Sequence, residues 1–434
     1  MKADREDEAL SERRLWKAIA AFVSWLDHEG VESYDPYDLW GTRYGILARR
    51  LYYSKSVWGI PLVAPLVAAE ALVPGIRGLF VRKERFATAE AQLIQGFLNL
   101  YAYTKEKTYL RKAETSASSL LELSIPGYSG HCWGYPFDWQ NNRGLWARNT
   151  PFITSTPYCF EAYLGVADAT GVQKHLDVAA SIARFVAHDL RDSTISAEAS
   201  AGSYSPNDHT QVINASAYRA FVLFEAWRRF QIDEYRDIAH RNLRFILDSQ
   251  REDGSWLYAL ENPIEAFIDH FHTCFVLKNL WKLNQVLDSA AVARAIEKGW
   301  WFYRRMLLHD DETPKSFVIE PRTQLAQVEI YNFAEAITLG TILKDSIPDA
   351  FALAQGLTRT AIRDYQVADG HFVTRAFRGG FRHTTPFLRW PQAQMFLALT
   401  NVLRALHSHE SGPEIHVGST ATIRSAAPAS KGVS

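Results

Sequence analysis

RNLRFILDSQREDGSW, Arg241 to Trp256, ends one helix and prepares the next. Its first half continues an amphipathic run that begins near Glu234, with apolar residues three and four apart. Its second half stops that run. Gln250 offers a side-chain amide to the end of the helix, Gly254 allows the chain to reverse, and Trp256 folds an apolar ring back over the cap. A looser copy, QVADGHF from Gln366 to Phe372, follows another such run. The motif is structural, and its recurrence predicts equivalent helices at equivalent places in a repeating architecture.

Helical spacing covers residues 11–29, 88–104, 109–123, 156–170, 173–188, 209–230 and 234–249, then 269–286, 290–308, 325–343, 350–365 and 388–406. No stretch shows sustained period-two alternation, so the class is all-α. First-of-pair helices start near 156, 209, 269, 325 and 388, an interval of about 53 to 63 residues. Short turns such as Ala169-Thr170-Gly171 and Asp288-Ser289 join the members of a pair; the connections between pairs, about 125–155, 189–208, 250–268, 309–324 and 366–387, are long. A ring of antiparallel hairpins puts all short turns on one face and all long loops on the other, and long ordered loops are where function concentrates. The expectation is an α/α toroid of about six helical hairpins spanning 88–406. Its last inner helix takes residues 11–29 as outer partner, residues 1–87 form N-terminal helices, and 407–434 lack hydrophobic periodicity and read as a disordered tail.

The Gln-to-Trp motif resembles the glutamine-tryptophan repeat of terpenoid cyclases and protein prenyltransferase β subunits, with Asn242 where that repeat usually has Gly. DHFHTCF, Asp269 to Phe275, is similar to the Asp-x-Tyr-His-Thr-Cys-Tyr stretch of the prenyltransferases, whose zinc-binding His corresponds to His272. Those enzymes also need an upstream Asp-x-Cys, and neither Cys132 nor Cys159 has it; the acidic signatures of terpenoid cyclases are absent too. No metal and no cofactor are therefore expected. Similar His-Thr sequences occur in glucuronyl C5-epimerases, which resemble six-hairpin glycosidases in being toroids. The resemblance implies a toroid and leaves its chemistry open.

Composition narrows the rest. Apolar residues are 47% and charged residues 22%, the balance of a folded globular chain, and the net charge of -1 gives no general attraction for nucleic acid. Three cysteines cannot build a disulfide framework. The charged start, MKADREDEALSERRLWK, lacks a secretory signal, and a cytoplasmic location is expected, at the inner face of the membrane if residues 57–86 touch lipid. That segment is apolar but contains Pro61, Pro65, Pro74, Glu70 and Arg77, so a spanning helix is not expected. It reads either as a buried helical plug or, with Arg82, Lys83 and Arg85 beside it, as a peripheral membrane contact.

The richest polar segment, HCWGYPFDWQNNRGLWARNTP from His131 to Pro151, interleaves Trp133, Tyr135 and Trp139 with Asp138, Gln140 and Arg148. Flat apolar rings mixed with planar hydrogen-bonding groups suit a sugar site; a packed loop is the structural alternative. Asp208 and His209, Asp269 and His272, Glu329 and Tyr331, and Arg382 and His383 lie at the starts of inner helices, with Arg322 just ahead of one. If these starts face the long loops, Arg148, Arg322 and Arg382 surround one cavity that favours an anionic ligand. The reading is a carbohydrate-active enzyme acting on a polysaccharide or glycolipid substrate of uronate type. Asp138, Asp208, His272, Glu329 and Tyr331 are its acid/base candidates, and Trp133, Tyr135, Trp139, Gln140, Arg148, His209, Asp269, Arg322, Arg382 and His383 its binding candidates. An isoprenoid enzyme and a non-catalytic glycan-binding or assembly protein are the alternatives.

Overall fold

The computed structural model describes residues 10–319 and 326–410; Arg322 lies outside them. The described chain forms fourteen α-helices: α1 (Glu12–Glu29), α2 (Arg43–Tyr53), α3 (Gly59–Leu72), α4 (Ala87–Thr104), α5 (Lys107–Glu122), α6 (Thr156–Thr170), α7 (Gln173–His188), α8 (Ile213–Phe230), α9 (Asp233–Asp248), α10 (His270–Leu287), α11 (Ala290–Met306), α12 (Ile330–Ile342), α13 (Ala350–Thr360) and α14 (Ala393–Glu410). Burial separates two rings. Every residue of α12 from Ile330 to Thr341 is buried, the mark of a helix enclosed on all sides. In α9 the buried residues are Tyr235, Ile238, Ala239, Asn242, Leu243, Phe245 and Ile246, one stripe facing inward.

The inner ring runs α4, α6, α8, α10, α12, α14 and closes on α4. The outer helices α5, α7, α9, α11 and α13 each pack on the inner helix before them, and α1 packs on α14. The closing seam is polar as well as apolar: Asn99 of α4 donates to Thr400 at 3.1 Å and to Asn401 at 2.8 Å on α14. This is an α/α toroid.

The Gln250-to-Trp256 motif ties the end of α9 to α11. The Gln250 amide donates to the Gly254 carbonyl at 3.0 Å and to the Ala295 carbonyl of α11 at 2.9 Å. Trp256 is buried and its indole N–H returns to the Ile246 carbonyl at 2.9 Å. Gln366 repeats the device, donating to Gly370 and to Ala18 of α1, both at 2.9 Å. The motif thus fastens one outer helix to the next, and its degenerate copy fastens α13 to α1.

Two differences from the sequence reading follow from local packing. The long connections carry paired strands of two to four residues: Trp139–Asn141 with Gly144–Trp146, Asp192–Thr194 with Ser200–Gly202, Ile268–Asp269 with Phe317–Ile319, and Ala326–Glu329 with Arg375–Phe377 and Arg382–His383. They are too short to show a period of two. Residues 326–329 accordingly read as helix yet pair as a strand. Second, residues 57–86 are not a buried plug, since in α3 only Gly59 and Glu70 are buried. No helix among the described residues is long and apolar enough to cross a membrane.

Candidate functional site

Side chains from the long connections converge over the starts of the inner helices as a collar of rings. Tyr258 stacks on Phe267 at 4.7 Å and meets His272 at 4.5 Å; His272 meets Phe271 at 4.4 Å, and Phe271 meets Tyr331 at 5.5 Å. Tyr331 stacks on Trp390 with centroids 4.0 Å apart. Tyr37 joins Trp390 to Trp139, and the run continues through Tyr135 and Phe152 to Trp146 and Tyr204. Burial, then the neighbouring phenols of Tyr135 and Tyr258, push the Tyr204 hydroxyl well above its ordinary pKa.

Within this collar, Asp269 and His272 form a dyad. Asp269 is the N-cap of α10: one carboxylate oxygen accepts the His272 backbone N–H at 3.2 Å and the other lies 2.6 Å from His272 Nδ1. A carboxylate held on Nδ1 fixes the ring's orientation and leaves Nε2 for a ligand. Asp269 is buried, whereas His272 keeps some exposure. The cavity against His272, bounded by Asn214, Tyr258, Phe267 and Thr273, holds about 10 Å³, room for about one water molecule.

A buried and a partly buried cation flank this space. Arg389, against the Tyr135 ring at 4.6 Å, is gripped by both oxygens of Asp35 at 2.6 and 2.8 Å. Arg375 pairs with Glu329 at 3.1 Å and with Glu70 at 3.2 Å. Asp35 and Glu70 belong to residues 33–86, which lie over the collar as a strap. Arg77 of the strap holds Asp38 at 2.7 Å, and Arg49 donates to the Gln140 carbonyl at 3.3 Å. Burial pushes Asp38 up to about 6 although Arg77 pulls the other way. Beneath Tyr331, Lys278 and Glu335 form an ion pair enclosed by the inner helices.

The sequence-predicted residues separate into those that reach the collar and those that do not. Asp269, His272, Tyr331, Tyr135 and Trp139 reach it, and Glu329 is held on Arg375. Trp133 does not: it is fully buried, stacks against Tyr163 and spends its indole N–H on the Leu120 carbonyl, so it is a core residue and not a sugar platform. Asp208 accepts backbone N–H groups from Tyr204, at 3.1 Å, and Thr210, at 2.9 Å, and so organises its own turn. Gln140 donates to the Asn141 carbonyl. Asp138 and Arg148 line a different cavity, of about 320 Å³, between the strap and the 131–151 segment, where Arg148 also pairs with Glu84 at 2.6 Å. His209 is exposed beside Arg191, and Arg382 binds the Asp364 carbonyl. His383 is buried with neither ring nitrogen bonded; burial first, then Arg375 and Arg77, lowers its pKa to about 3. Among the described residues no His, Cys, Asp and Glu group of three or more is arranged to hold a metal.

Sequence reasoning missed Asp35, Arg375, Arg389, Tyr258 and Trp390. Asp35-Pro36-Tyr37-Asp38 and Arg389-Trp390-Pro391 place charges and rings beside prolines in turns, a signal resembling that of the 131–151 segment.

No protein-family model matches the chain, and no curated protein does. Solved structures do. An unsaturated glucuronyl hydrolase from Streptococcus agalactiae superposes with a TM-score of 0.56 at 12% identity, covering 92% of this chain and 93% of that one. The chain has the α/α-toroid fold. A cellobiose 2-epimerase from Bacillus thermoamylovorans matches at 0.58 and 10% identity over 74% and 88% of the two chains, and a polysaccharide lyase at 0.53 and 12% over 75% and 92%. The similarity to these carbohydrate-active toroid enzymes is distant and structural.

Proposed function

We propose that this protein is a carbohydrate-active enzyme of polysaccharide or glycoconjugate metabolism that works on an anionic, uronate-type chain by acid/base chemistry and needs no cofactor. The observation that carries the reading is the His272–Asp269 dyad set in an aromatic collar. Asp269 keeps the proton on Nδ1, so Nε2 is the base for the hydrogen beside a uronate carboxylate or for an attacking water. Tyr331, whose phenol burial raises well above its ordinary pKa, retains its proton at neutral pH and is the matching acid. Arg389 and Arg375 take over the anion role first given to Arg148, Arg322 and Arg382: Arg389 is a buried cation against the Tyr135 ring, and Arg375 is a partly buried cation held between Glu329 and Glu70. The substrate gains this space when the strap carboxylates leave the two arginines.

The test is incubation with uronic-acid polysaccharides and oligosaccharides in heavy water. Solvent deuterium at C5, unsaturated ends or new reducing ends are expected, and His272→Gln should lower turnover about a hundredfold or more without changing the circular dichroism. A wild-type protein that gives none of these products with a broad panel refutes the enzymatic reading. If it still binds the oligosaccharides it is a glycan-binding protein, a reading supported by the smallness of the His272 cavity; consumption of farnesyl diphosphate would favour the isoprenoid alternative.

A further inference from the structure

The strap has an outer surface that the toroid does not use. α3, GIPLVAPLVAAEAL, is apolar on nearly every side yet lies on the outside of the protein. Val57, Trp58, Ile60, Leu72, Leu79 and Phe80 are each between 64% and 85% exposed. Single exposed apolar residues are ordinary, but a cluster confined to one short stretch marks a contact with something apolar. At fourteen residues and with Pro65 inside it, α3 is too short to span a bilayer and has the length of an interfacial helix.

The charge around the patch selects its occupant. Between residues 43 and 83 the exposed charged side chains are Arg43, Arg50, Lys55, Arg82 and Lys83, all basic. The one carboxylate of the stretch, Glu70, is buried on Arg77 and Arg375. Lys83 also lies 3.6 Å from Glu29 of α1 and Glu84 pairs with Arg148, so the rim's basic excess rests on Arg43, Arg50, Lys55 and Arg82, in a chain whose charges otherwise nearly cancel. A second copy of the chain would bring two basic rims together, which repulsion opposes. An anionic lipid surface presents what both features require: an apolar layer for the rings and aliphatic chains, and phosphate-level negative charge for the arginines and lysines around them.

We propose that the α2–α3 face and the turn that follows it, residues 43–83, dock on the surface of an anionic phospholipid bilayer, with α3 lying in the interface. Docking is independent of the reaction at the collar. The full-length protein should float with vesicles of phosphatidylcholine containing 30% phosphatidylglycerol at low salt and be released at least tenfold by 0.5 M salt or by omission of phosphatidylglycerol. Two variants separate the components. Trp58→Ser/Leu79→Ser/Phe80→Ser removes exposed rings and chains; Arg50→Glu/Lys55→Glu/Arg82→Glu reverses exposed charge. Each should bind anionic vesicles at least tenfold less than wild type while keeping its circular dichroism and thermal midpoint. Absence of wild-type flotation at low salt overturns the proposal, as does folded serine-variant protein that floats unchanged. Sedimentation velocity guards against the alternative: a wild-type dimer lost in the serine variant would assign the face to a second copy and also overturn it.

Discussion

Replacing Gly370 by Ala tests whether the ring is closed by the degenerate copy of the helix-ending motif. Gly370 has φ of +110°, and a Cβ there would lie 2.2 Å from the Ala21 carbonyl oxygen of α1. The conformation alone costs an L-residue about 1 to 2 kcal/mol. The contact adds more, because the obstructing atom is backbone and α1 must shift away from α13. Gly379 supplies the control: its φ is +85° and nothing lies within 4 Å of its added Cβ, so Gly379→Ala carries the conformational cost alone. The difference between the two variants, about 2 kcal/mol, should fall on α1 and correspond to about thirtyfold faster amide exchange in residues 12–29. Hydrogen exchange read by mass spectrometry on peptides from α1 and, as reference, from α8 measures this directly. Gln366→Ala, which removes the donor to Ala18 and Gly370, should move α1 in the same direction by about 1 to 2 kcal/mol. Equal exchange in α1 for Gly370→Ala and Gly379→Ala would refute the idea that this turn holds the seam.

Acid should destabilise the protein through two buried histidines. Burial lowers His270 from its ordinary 6.5 to about 4, and burial with Arg375 and Arg77 lowers His383 to about 3. Because folded values lie below unfolded ones, their contribution is complete above about pH 6.5 and is lost as pH falls toward 4 and then 3, by up to about 3 kcal/mol for His270 and about 5 kcal/mol for His383. The urea midpoint should therefore drop between pH 7 and 4.5, less so in His383→Leu; a flat profile contradicts this. Glu335→Gln leaves Lys278 enclosed without its countercharge and should cost about 3 to 5 kcal/mol in denaturant unfolding, while Lys278→Met/Glu335→Leu should recover most of the loss. Asp35→Asn frees Arg389, so binding of a uronate oligosaccharide by calorimetry should strengthen, and Arg389→Met should abolish the gain.

The toroid was legible because its signals are local. Helical spacing, short turns alternating with long loops, and a Gln-to-aromatic motif at helix ends are properties of contiguous residues, and α6 and α7 fall where the spacing puts them. The collar was legible only in part. Asp269 and His272 stand three apart on one helix, so their pairing follows from the N-cap position of Asp269. Asp35 and Arg389 are separated by most of the chain, and nothing local in either announces the other. Trp133 shows the reverse: a tryptophan amid polar residues suggests a ligand platform, but its position against Tyr163 and the Leu120 carbonyl is set by the hairpin beneath the loop.

The strap's charges are sorted by face, and this bears on how the collar would open. Its buried carboxylates, Asp35, Asp38 and Glu70, point inward onto Arg389, Arg77 and Arg375, while its exposed cations point outward. Lifting the strap with nothing in its place would leave Arg375 only Glu329 and would strand Arg389 without countercharge in a low-dielectric site, a change costing several kcal/mol. An incoming ligand that brings its own carboxylate removes that penalty, because the arginine exchanges one anion for another. A neutral sugar offers no such exchange. On the proposed function, the contacts that close the collar therefore also select for an anionic chain: the strap's own acidic side chains hold the positions that a uronate would have to take.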